Sequence, residues 1–287
     1  MATDTTSTPV QPVKVAQSTK RPGGPIRWVR ERIIPIIGSA VLFYMFLPIF
    51  VVIVFSFNLP NGRFNYQWVQ FSTQAWTNLC APGGMCDALR LSLLLGVLAT
   101  IGAVILGTLV AFGIARYRFR GRSASNLLVF MPMATPEVVM GSALLTWFVT
   151  LTFARGTATI LIAHVMFCLS FVVVTVKARI AGLDPKLEQA AMDLYANERT
   201  TFWRVTFPLV LPGIVGASLL AFSLSFDDFI VTNFNSGSTV TFPMYVWGAA
   251  QRGTPPQINV VGSLMFLVSL AIVLIAQVVQ RRRAKKA

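Results

Sequence analysis

Three carboxylates, Glu137, Asp227 and Asp228, lie within or at the ends of long uncharged runs of the chain. A carboxylate at mid-bilayer costs roughly 2.5–3.5 kcal/mol on insertion scales, so such groups face a water-filled cavity or a partner. The same runs hold no Lys or Arg, which suits a path for a cationic solute. The competing role is structural: pairing with a backbone donor or with a neighbouring subunit. Glu137 follows Pro136 in MPMATPEVVMG, and a helix broken there would be tolerated where it lines a cavity. Asp227 and Asp228 stand roughly 28 Å of helix beyond Pro208, at 1.5 Å per residue, toward the external end of their run.

Other reactive residues are fewer. His164 and Cys168 are four apart and could set two ligands on one helix face, but no third accompanies them, so a packed or hydrogen-bonded His is expected and no metal site. Cys80 and Cys86 flank a Gly-rich turn, CAPGGMC. They form either a disulfide, permitted outside the cytoplasm, or two free thiols. The chain contains no GxxxxGK[ST], HExxH or GxSxG, so no catalytic residues are expected, and neither ATP hydrolysis nor a hydrolase nucleophile has its usual arrangement.

The elements that must position these groups follow from composition. Of 287 residues, 55% are hydrophobic and 12% charged, against roughly 25% charged in a soluble domain. A water-soluble enzyme is excluded, as is disorder over most of the chain. A bilayer is crossed by about 20 apolar residues in a helix. Six stretches qualify: 33–57, 91–115, 126–154 (with Glu137), 156–176, 205–226 and 258–279. Between the last two, residues 229–251 are uncharged but rich in Asn, Ser, Thr and Gly, and read as an external loop, partly re-entrant. Gly102, Gly107 and Gly113 suit close helix packing. Trp68, Phe71 and Trp76 form either an aromatic anchor at the interface or a contact for an external protein.

The fold class is thus all-α, a polytopic membrane protein with six transmembrane helices. Its divisions are a basic, disordered tail at 1–32, a membrane domain at 33–280 with a cytoplasmic loop at 177–206, and a basic tail at 281–287. The net charge is +14. With both termini in the cytoplasm, only Arg63, Arg90, Arg155 and Arg252 of the 24 Lys and Arg residues fall outside. That asymmetry obeys the positive-inside rule and accounts for the basic excess without nucleic acid.

The loop at 177–206 is built rather than merely connecting. Asp184-Pro185 starts a helix. Leu187, Ala190, Ala191 and Leu194 then follow at i, i+3, i+4 and i+7, one apolar face, with Lys186, Glu188 and Asp193 away from it. Asn197 caps a second helix toward the fifth span. The polar face is mixed in sign, which favours a protein partner over a lipid surface.

This segment resembles the EAA motif of ABC importer permeases, E-A-A-x-x-x-G followed nine residues later by I-x-L-P. Gln189, Ala190 and Ala191 occupy the E-A-A places, with Glu188 one residue earlier. Asp193 and Leu194 precede the Gly place, held here by Tyr195. Val205, Phe207 and Pro208 take the I, L and P places. Tyr does not freely replace Gly at φ > 0, so the turn is expected to be reshaped or moved to Ala196 and Asn197. SFDDFIVTNFNSG and P-x-x-x-P-E-V-V-x-G are similar to the second permease subunit of spermidine/putrescine importers.

The resemblance implies a type I ABC importer permease (MetI-like) fold in the plasma membrane of a prokaryote. It implies a second homologous permease, two copies of an ABC ATPase that use ATP with Mg, and an extracytoplasmic solute-binding protein as partners. This chain itself would bind no cofactor. Leu187, Glu188, Gln189, Ala190, Ala191, Asp193, Leu194, Tyr195, Ala196 and Asn197 would couple it to the ATPase, and Glu137, Asp227 and Asp228 would line the path. Related permeases carry iron, thiamine, sugars or phosphate. A proton-coupled secondary carrier is the rival class; such folds often show internal repeats, and none is visible.

Overall fold

Uncharged runs this long can satisfy their backbone groups in lipid only as helices, and among the described residues the named elements of the computed structural model are all helices. It describes residues 25–284, with side chains described for 32–275 and 278. The expected tail residues 1–24 and 285–287 lie outside the described residues. In chain order the helices are α1 (Pro25–Phe55), α2 (Gln74–Thr77), α3 (Met85–Arg116), α4 (Arg122–Ala134), α5 (Glu137–Thr150), α6 (Thr157–Ala181), α7 (Lys186–Asp193) and α8 (Glu198–Thr201). A π-helical turn (Phe202–Thr206) then leads into α9 (Phe207–Asp227), followed by α10 (Ile230–Asn235), α11 (Phe242–Arg252) and α12 (Pro256–Ala284). The first helix starts at Pro25, so residues 25–32 continue the helix rather than belonging to a disordered tail.

Two units are distinct along the chain: residues up to Val51, and residues from Val52 onward. In the first, α1 is a single apolar helix that contains Pro35 and Pro48.

In the second unit, α3, α6 and α9 form the core, and small residues set how closely they pack. Ala99, Ala103, Ala111, Ala163, Ala217 and Ala221 are fully buried. At Gly107 a Cβ would sit 2.7 Å from Val172 Cγ1, and at Gly102 3.0 Å from Val165 Cγ2. Gly113, expected to share this role, faces open space because it lines a groove on the side of α3 away from the core, while Ala111 and Ile114 beside it stay buried. Arg179 on α6 lies against Gly213 of α9 and donates from Nε to Leu209 O at 2.9 Å.

Among the described residues five helices are long and apolar enough to cross a bilayer. The expected third span is divided into α4 and α5, bent by 107° at Thr135-Pro136. Pro136 has no N–H to donate and keeps the preceding residue out of the α region, so the break falls where the sequence placed it. The expected loop at 229–251 is instead two short helices, α10 and α11, whose Val231, Thr232, Asn235 and Phe242 are buried. Thr232 and the Asn235 amide nitrogen bond within the bundle, while Asn233, Gln251 and Arg252 stay exposed.

On the side of the membrane where α3 begins, residues 56–84 are organised by Asn58, which is 1% exposed. Its Nδ2 donates to Asn65 Oδ1 (2.6 Å) and Gln67 O (2.7 Å), and its Oδ1 accepts from Val69 N (2.8 Å). Phe57 stacks between Phe71 and Trp76, and Trp76 Nε1 donates to Ser56 Oγ. Cys80 and Cys86 are joined in a disulfide, which closes the turn that leads into α3.

Candidate functional site

The hairpin between α6 and α9 follows local rules. Asp184 Oδ1 accepts from Lys186 N at 2.9 Å, opening α7, and Asn197 Oδ1 accepts from Thr200 N at 2.8 Å, capping α8. Between them, Ala196 N donates to Ala191 O and Tyr195 N to Met192 O, the pair of bonds that ends a helix through a left-handed residue. That residue is Tyr195 itself, at φ 62°. The bend is therefore kept at the glycine place and is neither reshaped nor displaced to Ala196 and Asn197. A non-Gly residue there costs roughly 1–2 kcal/mol, and the Tyr195 side chain, 99% exposed, recovers nothing by burial.

The apolar stripe is uncovered. Leu187 is 47% and Leu194 81% exposed, Ala190 is exposed and Ala191 half-buried. Gln189 and Asp193 are exposed as well. Glu188 departs from expectation. It turns toward the bundle, where Oε1 accepts from Arg116 Nη2 at the end of α3 and from Thr206 Oγ1 at 2.6 Å. Burial alone would raise its carboxyl, but the Arg116 and Thr206 hydrogen bonds and the Arg116 charge prevail and hold it below the usual carboxylate range. Neither partner was singled out in the sequence; Arg116 read as one more positive-inside residue and Thr206 as part of the fifth span.

The three acidic residues do not form one cluster. Glu137 is exposed in the first turn of α5, where a negative charge is favoured by the helix dipole. Asp227 is exposed at the last residue of α9. Asp228, expected beside it on the path, is 8% exposed and caps α10 instead. Its Oδ2 accepts from Thr232 N and Thr232 Oγ1, both at 2.7 Å, and its Oδ1 from Val231 N at 3.3 Å.

His164 completes that buried group, with Nδ1 2.7 Å from Ser225 Oγ and Nε2 2.8 Å from Thr232 Oγ1 and 3.3 Å from Asp228 Oδ2. The Ser225 and Thr232 hydroxyls can each serve the ring nitrogen they face as donor or acceptor, and Thr232 Oγ1 also donates to Asp228 Oδ2. Cys168 donates to Ala221 O at 3.4 Å. Ser225 and Thr232 gave no signal in the sequence, because a hydroxyl in an apolar run is as often bonded to its own helix. Among the described residues no group of three His, Cys, Asp or Glu could hold a metal ion.

Comparison with known proteins places this architecture. Residues 103–286 match the family model described as binding-protein-dependent transport system inner membrane component. The spermidine/putrescine transport system permease protein PotC of Escherichia coli (strain K12) is 34% identical over 248 residues, 86% of this chain and 93% of that protein. The putrescine transport system permease protein PotI of the same strain is 35% identical over 230 residues, 77% of this chain and 81% of that protein. A bacterial alginate ABC transporter, solved in complex with an alginate pentasaccharide-bound periplasmic protein, gives a TM-score of 0.64. It does so at 16% identity over 90% of this chain and 96% of its own. An inward-facing MetNI methionine ABC transporter gives 0.56 at 11% identity, over 67% and 92%.

Proposed function

We infer the function from one premise: this chain belongs to the family of inner membrane components of binding-protein-dependent transport systems. It is a non-catalytic permease subunit of an ABC importer, with the helical MetI-like fold. The further reading is that it carries a small cation, a polyamine such as spermidine or putrescine, across the plasma membrane of a prokaryote. In that reading it pairs with a second homologous permease, and two ATPase copies bind at the cytoplasmic hairpin and hydrolyse ATP with Mg. A solute-binding protein delivers the cation outside. Both termini face the cytoplasm.

One observation carries the coupling role. Leu187 and Leu194 present an apolar face on a helix whose caps and turn are fully formed, and an ordered but uncovered face is a surface for a protein. The solute rests on the two relatives named for polyamines and on Glu137 and Asp227, whose carboxylates are exposed. Family membership does not fix the solute by itself, since a 33% identical relative from Mycobacterium bovis is named for molybdenum.

The test is ATPase stimulation of the reconstituted assembly by binding protein loaded with spermidine, putrescine, thiamine or ferric iron. Stimulation by a polyamine alone is expected, and it vanishes when Ala190 and Ala191 are replaced by Glu. Stimulation by thiamine or iron instead overturns the solute; stimulation that survives the Glu substitutions overturns the hairpin.

A further inference from the structure

The hairpin stands off from the bundle across a groove of about 820 Å³, lined by Leu109, Phe112, Met192 and Phe202 among others. Little apolar packing therefore holds α7 in place. Its polar attachment is Glu188, whose Oε1 accepts at once from Arg116 on α3 and from Thr206. Arg116 Nη2 is also 3.4 Å from Thr206 Oγ1, closing a triangle that ties two points of the hairpin, 18 residues apart, to the distant end of α3. Thr206 is fully buried and is the last residue of the π-helical turn that enters α9. Beside the triangle, Phe112 of α3 meets Phe202 of that turn edge-on at 5.4 Å, and the Arg116 guanidinium lies over Phe112 at 5.9 Å.

The position of the π-turn gives this triangle its meaning. A π-turn carries an extra residue inside a helix, and such turns are frequent at functional sites. Along the backbone it is the sole path from α7 and α8 into α9. The triangle adds a second path from the hairpin. It fastens α7 directly to the end of α3 and to the first residue ahead of α9. From there α9 runs 21 residues to Asp227, roughly 31 Å at 1.5 Å per residue. Both helices belong to the packed core, so displacement of α7 is delivered to the core and to the far end of α9 together.

We propose that Arg116, Glu188 and Thr206 form a transmission link which makes the core helices follow the hairpin, so that ATPase movement becomes solute movement. The link rests on the coupling role proposed above and adds to it positioning residues that do not touch the ATPase. Glu188 thereby acts through Arg116 and Thr206, while the docking face is left to Leu187, Ala190, Ala191 and Leu194.

The experiment compares solute transported per ATP hydrolysed in the complete reconstituted assembly, using whichever loaded binding protein stimulates the unmodified complex. In Arg116→Gln and Thr206→Val the ATPase still co-purifies and hydrolyses ATP. Transport per ATP falls about tenfold, as expected when a hydrogen bond to a charged group is lost. Exchanging the charges, Arg116→Glu with Glu188→Arg, restores more than half of that ratio. An unchanged ratio in both single variants overturns the link. So does loss of ATPase co-purification in step with transport, which would make the triangle a prop for the docking face. Failure of the exchange to restore the ratio overturns it as well. Should Arg116→Gln not assemble, Arg116→Lys, which keeps the charge and loses the planar fork, gives the same reading. Failure of the unmodified assembly to bind an ATPase would instead sink the coupling role itself, before any variant is compared.

Discussion

Asp227 and Asp228 are adjacent in sequence and opposite in environment. Asp227 ends α9 with its side chain exposed, whereas Asp228 is buried and accepts three hydrogen bonds from the first turn of α10. Replacing a buried acceptor so that a donor faces a donor costs about 1–3 kcal/mol, and His164 depends on the same group. Asp228→Asn should therefore lower the temperature at which the solubilised assembly loses its single size-exclusion peak. Asp227→Asn should leave that temperature unchanged, within about 0.5 kcal/mol of stability for an exposed position, and should reduce uptake of a polyamine. If Asp228→Asn keeps full thermal resistance, its capping role is wrong; if Asp227→Asn transports normally, the cationic path loses its outer carboxylate. The DD dipeptide could not reveal this difference, since chain position alone puts both residues at the same depth.

At the scale of helices, the amount of structure legible in the sequence depended on whether the evidence was local. Uncharged runs located every long helix, Pro136 located the break between α4 and α5, and Asp184 and Asn197 located the starts of α7 and α8. What escaped was decided by partners distant in the chain. The polar composition of 229–251 suggested a loop because Thr159, which donates to Asn235 O at 2.8 Å, lies 76 residues away. Glu188 looked like surface because Arg116 is 72 residues away. Tyr195 at φ 62° shows that helix-ending bonds on both sides can hold a residue where its own preference argues against it. The glycines of α3 give a direct contrast. Gly107→Ala puts a methyl 2.7 Å from Val172 Cγ1 and should cost about 1–3 kcal/mol through forced separation of α3 and α6. Gly113→Ala meets open space and should gain up to about 1 kcal/mol from helix propensity. Thermal retention of the folded subunit in detergent should rank Gly113→Ala at or above the unmodified chain and Gly107→Ala well below it; equal values would mean that Val172 moves aside without cost.

The whole chain poses a problem of parity. Among the described residues five helices are long and apolar enough to cross the bilayer, while α4 and α5 form a pair bent by 107° that is either a broken span or a re-entrant loop. The contacts between helices decide which. Arg116 ends α3 and bonds Glu188, just beyond the end of α6, so α3 and α6 finish on the same side. Because α6 is itself a straight span, it must begin on the opposite side. Its first turn does lie with the external segments: Thr159 bonds Asn235, and Gly237 packs on Arg155. The chain between Arg116 and Thr157 therefore crosses, and α4 and α5 together make one span. On the proposed topology of six spans both termini share one face, which the positive-inside rule predicts to be cytoplasmic. Single-cysteine labelling tests the arrangement against little background, because Cys80 and Cys86 are bonded to each other and Cys168 is buried. Asn61→Cys, exposed before α3, should react with a membrane-impermeant maleimide on intact cells. Tyr195→Cys, at the exposed tip of the hairpin, should react only in inside-out vesicles. Labelling of both from the outside would put the hairpin on the same face as the Asn58 loop, make α4 and α5 a re-entrant loop, and remove the hairpin from reach of any cytoplasmic ATPase.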